Sequence, residues 1–246
     1  MAATPPFGIA EPAYQDWARG EVAHWRAEML RPPGVFDRAA KGVQSRINRV
    51  IPEAVHDAVT RVIEQMTRGM LVGADWTTAA PMMDAPLSVR DARAREVIAT
   101  YRTTAAVEGG VAGAGGFWLA AADFPALIAI KIKLLFDLAG VYGRSGQDFA
   151  ERLFLLHVFQ LAFSSPTRRA EVFHLLQDWD AREHPHGLDE FDWRTFQQEY
   201  RDYIDLAKLA QLIPLVGAPI GAMVNWRLTE RVGDYAVNAY RMRWLG

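Results

Sequence analysis

The chain has 246 residues, and 50% of them are hydrophobic, so it is long and apolar enough to bury one full core. Its formal net charge of −2 gives no indication of the basic surface with which proteins bind DNA or RNA, and we expect no nucleic-acid partner. The chain contains no cysteine, which excludes disulfides and thiolate zinc sites and fits a reducing compartment.

Helical periodicity organises the N-terminal third, which we assign to helices over residues 12–72. The first helix, residues 12–30, repeats large apolar side chains at near-helical spacing: Trp17, Val22, Trp25 and Met29. Pro52 begins a later helix, where its missing N–H group is tolerated. Residues 73–87 are rich in turn-forming residues and are predicted to form a linker.

The centre of the chain, residues 88–142, is predicted to form a glycine-rich apolar hairpin of two helices. Ser88 and Asp91 have the spacing of a capping box that opens the first helix. We expect Asp123 to cap the second helix, because its carboxylate can accept hydrogen bonds from free N–H groups. Pro125 then falls in the first turn of that helix, where proline is tolerated.

The remaining chain, residues 147–245, is also predicted to be helical. Residues 147–164 are almost wholly apolar beyond Arg152, so this helix must be central. The next helix is predicted to run to about Asp180. A second apolar bend near 209–227 carries glycines at four-residue spacing, and a last helix follows it.

No segment alternates apolar and polar residues over the length of a strand. We therefore predict an all-α fold. The whole chain, residues 1–246, is predicted to form a single compact multi-helix domain with two glycine-rich apolar helical hairpins.

The first residues show neither a basic segment nor the apolar run of a secretory signal. Two internal apolar runs, residues 109–130 and 209–226, bear on membrane contact. The first reaches the ~20 residues of a spanning helix only by including Asp123, and the second includes Pro214 and Pro219. Broken runs favour buried core or peripheral contact over a span. We expect a cytoplasmic protein, peripheral on the inner face of the cell membrane.

Six stretches together resemble one known family. They are IPEAVH (51–56), VEGGVAGAGG (107–116), ADFP (122–125), ERLFLLHVFQLAFSS (151–165), DWRTFQQEYRDYIDLAKLAQLIPLVGAPIGAMVNW (192–226) and NAYRMRWL (238–245). On these residues the chain is identified as a member of the EcsC family. The resemblance implies a bacterial protein with hydrophobic, membrane-associated character, sometimes encoded beside an ABC-type transporter. It implies no established activity.

Four of the six histidines follow a glutamate by three residues, which is the spacing of di-iron helical bundles. The candidate metal ligands on this pattern are Glu53, His56, Glu171 and His174. The same spacing also describes ordinary exposed pairs on a helix surface, and Pro185 interrupts one of the four. We expect no bound metal and no cofactor.

Several polar residues lie inside or beside the apolar stretches that carry the family resemblance. An isolated buried charge costs several kcal/mol, so we expect most of them to form a paired internal network with a structural role. The alternative is ligand or proton chemistry, for which the candidate catalytic residues are His56, Glu108, Asp123, Glu151, Asp205 and Lys208.

The glycines indicate close backbone contact, because missing side chains let a neighbouring helix approach. Tryptophans and basic residues beside the two bends, among them Lys131 and Lys133, suit a lipid headgroup zone, although a packed core explains tryptophans equally well. The positions that we expect to contact a membrane or partner are Gly109, Gly113, Gly116, Trp118, Gly217, Gly221 and Trp226.

The leading functional hypothesis is a non-catalytic, membrane-peripheral accessory protein whose partner is membrane lipid or an ABC-transporter subunit. It would dock through its glycine-rich apolar hairpins. Two alternatives stay open at this point, a metal-dependent helical enzyme and a soluble lipid-binding protein.

Overall fold

The computed structural model describes residues 8–32, 34, 61, 64–71, 80–114, 116–165, 168–187, 190 and 217–246, with backbone alone at 111–114, 116–124, 217, 218 and 220. Its α-helices are α1 (Glu11–Leu30), α2 (Leu87–Ala114), α3 (Gly116–Val141), α4 (Phe149–Phe163), α5 (Arg169–Leu176) and α6 (Gly217–Leu245). Residues 64–71 are also helical, and Trp179–Ala181 is a short 3-10 helix. These ranges contain no β-strand, so the all-α prediction is confirmed.

Helix α1 begins one residue before its predicted start and ends where predicted, with Pro12 in its first turn. Trp25 and Met29 are buried as expected, but the inner face also uses Tyr14 and Ala18. The helices predicted between α1 and residue 60, and the one containing Asp205 and Lys208, lie outside the described residues.

The longest helices, α2 and α6, form an antiparallel pair. Four contacts join them in reverse order: Asp91 with Arg241, Ile98 with Gly233, Arg102 with Glu230, and Gly109 with Gly221. Two glycines make the close approach possible. A Cβ atom on Gly233 would lie 2.5 Å from Cγ1 of Ile98, and one on Gly109 would lie 2.8 Å from the carbonyl oxygen of Gly221.

Helix α4 lies at the centre of the core, as its composition predicts. Thirteen of its 15 residues are buried, and its aromatic side chains pack edge-on or tilted against neighbouring rings. Asp148 caps its N-terminus by accepting a hydrogen bond from the backbone N–H of Ala150 at 3.1 Å.

The prediction that Asp123 caps a new helix is wrong. Helix α3 runs without interruption through Asp123, and Pro125 lies inside it. The boundary with α2 instead falls between Ala114 and Gly116, several residues upstream. A proline inside a helix removes one backbone hydrogen bond, but the following residues Leu127 and Ile128 are buried in the core, and this packing maintains the helix.

Two further boundaries differ from the prediction. The helix predicted to reach Asp180 ends at Leu176, because Asp178 adopts a left-handed backbone with φ of 51°, which a short polar side chain tolerates. In the second apolar bend, residues 217–227 are the first turns of α6, with Pro219 near its start.

Candidate functional site

A buried carboxylate, Asp91, joins four parts of the fold. Its oxygens accept hydrogen bonds from Tyr14 at 2.8 Å, from Tyr142 at 2.5 Å and from Nε of Arg241 at 2.8 Å. Burial, together with the negative charge of Asp91, raises the pKa of Tyr14 to about 12 and that of Tyr142 well above its usual value. The capping-box interpretation of Ser88 and Asp91 is therefore wrong.

The start of α2 is held by α1 instead. The hydroxyl of Ser88 donates a hydrogen bond to the Glu11 carboxylate at 2.5 Å, and the Ser88 backbone N–H lies 3.4 Å from the same group. Because Glu11, 77 positions away, accepts the hydrogen bonds at the start of α2, the Asp91 carboxylate can pair with residues in the core.

A second buried cluster surrounds Glu151, one of the candidate catalytic residues. Its carboxylate accepts hydrogen bonds from Tyr240 at 2.5 Å and from Nη1 of Arg243 at 2.9 Å, and Arg243 also pairs with Asp180. Burial and the Glu151 charge raise the pKa of Tyr240 well above its usual value. Desolvation opposes ionisation of Asp180, but Arg243 and Arg144 outweigh it and lower the pKa of that carboxyl.

A third polar group lies where α2, α3 and α6 meet. Lys131 is fully buried, and its Nζ donates to the carbonyl oxygen of Leu127 at 3.1 Å and to Oδ1 of Asn225 at 3.3 Å. Asn225 in turn donates to the carbonyl oxygen of Gly221 at 3.2 Å. Because no carboxylate among the described residues pairs with this amine, burial lowers the pKa of Lys131 to about 7.

This arrangement corrects the assignment of Lys131 to a headgroup zone. Lys131 is inside the protein, and Lys133 pairs with Asp137 on its own helix. Gly109 lies against the Gly221 backbone, and its absent side chain also leaves room for the Asn225 amide, a contact that sequence reasoning missed. Local sequence reveals neither the burial of Lys131 nor the Gly109 contact, because both depend on Asn225, which lies 94 positions after Lys131 in the chain.

The candidate catalytic residues that the structure describes do not converge. Glu108 is exposed on α2 beside Gly109, which meets Gly221 near the start of α6, whereas Glu151 contacts Tyr240 near its end. At ~1.5 Å per residue these two points on α6 lie about 28 Å apart. Asp123 lies within α3, and His56, Asp205 and Lys208 fall outside the described residues.

The candidate metal ligands show a similar dispersion. Glu171 is exposed and pairs with Arg168 at 2.9 Å, and the exposed His174 has its Nδ1 atom 2.6 Å from the Gln177 amide. Glu53 and His56 lie outside the described residues. Within the described ranges, no three His, Asp or Glu side chains are grouped closely enough to hold a metal ion.

The outer surface of the α2–α6 crossing combines exposed apolar side chains with charged ones. A groove of about 430 Å³, which we call the crossing groove, is lined by Ala106, Ala222, Met223, Trp226, Arg227 and Glu230. Met223 is 56% exposed, and Val107, on the neighbouring turn of α2, is 61% exposed. A second groove, of about 610 Å³, lies on another side of α2 and is lined by Ala99, Thr100, Thr103, Thr104, Val107 and Glu108.

The predicted contact residues divide between this surface and the interior. Trp226 lines the crossing groove, while Gly109 and Gly221 form the backbone contact beneath it. Gly113, Gly116 and Trp118 belong to the glycine-rich ends of α2 and α3, and Gly217 begins α6. Of the helices that the structure describes, none combines the length and the apolar character needed to cross a bilayer.

Comparison with known proteins provides the family assignment. The family model described as the EcsC protein family matches residues 17–245. The chain is 41% identical over 224 residues to Protein EcsC of Bacillus subtilis (strain 168), which covers 91% of this chain and 93% of that protein. It is 29% identical over 161 residues to the Uncharacterized protein YdbA of the same organism, covering 65% of this chain and 59% of that protein. No solved structure matches the chain significantly. The chain therefore belongs to the EcsC protein family.

Proposed function

We propose that this protein is a non-catalytic accessory factor that binds peripherally to the cytoplasmic face of a membrane. The contact surface is the end of the α2–α6 pair at which Gly109 meets Gly221. The observation that carries the proposal is the exposure of two large apolar side chains, Val107 and Met223, on either side of that crossing.

These two residues lie near the glycines at which the two helices touch. Val107 is two positions from Gly109, and Met223 is two positions from Gly221. Burying an apolar side chain of this size in the acyl boundary contributes roughly 1.5–3 kcal/mol each. Two such side chains near the same end of the α2–α6 pair therefore support reversible attachment of a peripheral protein.

The buried polar clusters support a structural rather than a catalytic role for the residues in them. Asp91 and Glu151 each have an arginine and a tyrosine hydroxyl as partners, and both are sealed from solvent. A carboxylate that is buried and already paired in this way is not open to a substrate from solvent. The acidic candidate beside the contact surface, Glu108, is exposed.

Vesicle flotation tests the proposal. The wild-type protein is expected to float with phospholipid vesicles, and the double substitution Val107→Asp and Met223→Asp is expected to leave it in the bottom fraction. Val89→Asp is the matched control, because Val89 is 48% exposed on the same helix, about 27 Å from Val107 along its axis.

Three outcomes separate the possibilities. Loss of flotation in the double variant alone supports the proposal, provided that circular dichroism shows the variant folded. Equal flotation of wild type and double variant overturns the assigned surface. If the wild-type protein does not float with vesicles of lipid alone but does float with vesicles that contain an ABC transporter, the surface binds transporter helices. That result would overturn lipid binding.

A further inference from the structure

The crossing groove combines apolar lining residues with one uncompensated positive charge. The apolar residues include Ala106 and Ala222, one from each helix, together with Met223. Two charged residues line the same groove farther along α6, Arg227 about one turn and Glu230 about two turns beyond Met223. We infer that this groove binds the headgroup of an anionic phospholipid, with the Arg227 guanidinium on the phosphate, an inference that rests on the proposed membrane attachment.

The charge of Glu230 is already neutralised by a residue of the same chain. Nη1 of Arg102 lies 2.7 Å from the Glu230 carboxylate, and both side chains are about one-third exposed. The Arg102 guanidinium also lies over the Trp226 ring, with its central carbon 4.4 Å from the ring centroid. These contacts hold Arg102 and Glu230 together, so they add no net charge to the groove.

Arg227 is the remaining charge. It is exposed at the groove, and no described carboxylate lies within ion-pair distance of it. A guanidinium presents planar paired donors that match two phosphate oxygens, and this geometry favours phosphate over a compact anion. The complementarity with an anionic headgroup therefore arises from one identified side chain.

Trp226 provides a second donor at the same place. Its ring is fixed on one face by Arg102, and its indole N–H has no hydrogen-bond partner among the described residues. Tryptophan is enriched at the headgroup level of membranes because its ring is apolar and its N–H is polar.

The second groove differs from the first in its charge. It is lined by Ala99, Val107, three threonines and Glu108, and each threonine hydroxyl already donates a hydrogen bond to a backbone carbonyl of its own helix. An exposed carboxylate there repels a phosphate. The inference therefore concerns one groove, and the headgroup is expected on the Arg227 side of α2.

The test compares vesicles of phosphatidylcholine with vesicles in which part of the lipid is phosphatidylglycerol. Wild type is expected to bind the anionic vesicles more tightly, and Arg227→Gln is expected to lower that affinity about fivefold, since one basic residue near an anionic surface contributes about 1 kcal/mol. Its affinity for phosphatidylcholine should change less, because the choline cation already neutralises the phosphate of that headgroup.

Arg231→Gln is the control that separates a site from general surface charge. Arg231 is exposed one turn farther along α6 and lies outside the groove lining. An unchanged affinity in Arg231→Gln, with the loss confined to Arg227→Gln, supports the inference. Equal losses in both variants, or a wild type that does not distinguish the two lipids, would overturn it while leaving membrane attachment intact. Failure to bind either vesicle would overturn the proposed function itself.

Discussion

Nε of Arg241 lies 2.8 Å from Oδ2 of Asp91, and both side chains are sealed from solvent although 150 residues separate them in the chain. The pair joins α2 to the end of α6, while Tyr14 and Tyr142 bring α1 and the end of α3 to the same carboxylate. The Arg241 guanidinium also lies 4.9 Å from the Trp17 ring centroid. This cluster anchors the end of the α2–α6 pair opposite the crossing groove.

Breaking this pair should destabilise the fold strongly. Asp91→Leu leaves the buried Arg241 charge without its counterion, and we expect the free energy of unfolding to fall by roughly 3–5 kcal/mol. Urea denaturation measures the change. Arg93→Ala is the matched control on the same helix, because it removes only the exposed Arg93–Glu96 pair and should cost less than about 1 kcal/mol.

The double variant Asp91→Leu with Arg241→Met distinguishes an uncompensated charge from general loss of packing. Removing both charges should restore stability relative to Asp91→Leu alone. A double variant as unstable as the sum of the two single variants would contradict this account.

Lys131 should make stability depend on pH in a defined direction. Its pKa is about 7 in the folded protein, below the usual value of 10.5, because burial disfavours the charged amine. Between these two values the unfolded chain binds the proton and the folded protein does not. The destabilising contribution is therefore complete below about pH 7 and disappears as the pH rises toward 10.5.

Lys131→Met removes this dependence. We expect the variant to be more stable than wild type at pH 7, with an advantage that shrinks by at most about 1.4 kcal/mol per pH unit as the pH rises. Chemical denaturation across pH 7–10 measures it. Lys133→Met, which removes a partly exposed lysine of the same helix, should show no such trend. A stability difference between Lys131→Met and wild type that is constant with pH would contradict the prediction.

Gly109 should not tolerate a methyl group. In Gly109→Ala the new Cβ would lie 2.6 Å from Nδ2 of Asn225 and 2.8 Å from the Gly221 carbonyl oxygen, and the second atom belongs to the backbone. We expect a loss of about 1–3 kcal/mol in the free energy of unfolding, despite the better helix propensity of alanine. Thermal and urea denaturation both report it.

Gly20→Ala is the control for helix propensity. Gly20 lies within α1, and a Cβ there would meet no atom within 4 Å. This substitution should stabilise the protein by roughly 0.5–1 kcal/mol. If Gly109→Ala stabilised the protein as much as Gly20→Ala does, the close contact between α2 and α6 at Gly109 would be contradicted.

Membership of the EcsC family, the helical class and the main helix positions followed from the amino-acid sequence. The bounds of α1 and the central position of α4 could be predicted because both depend on local periodicity and composition. Local rules failed at Asp123, which has the residue type of a helix cap but lies inside α3. Packing of the apolar residues after Pro125 outweighed the capping preference there.

Only the tertiary structure decided the partners of the polar residues. Asp91 looks like a capping residue from its neighbours, but its partners Tyr142 and Arg241 lie 51 and 150 positions away. The sequence suggests that Lys131 is a surface cation, but in the structure it is buried and donates a hydrogen bond to Asn225 of α6. The crossing groove likewise needs residues from both α2 and α6. Helix type is encoded within a few turns of chain, whereas burial and charge pairing depend on which distant helices meet.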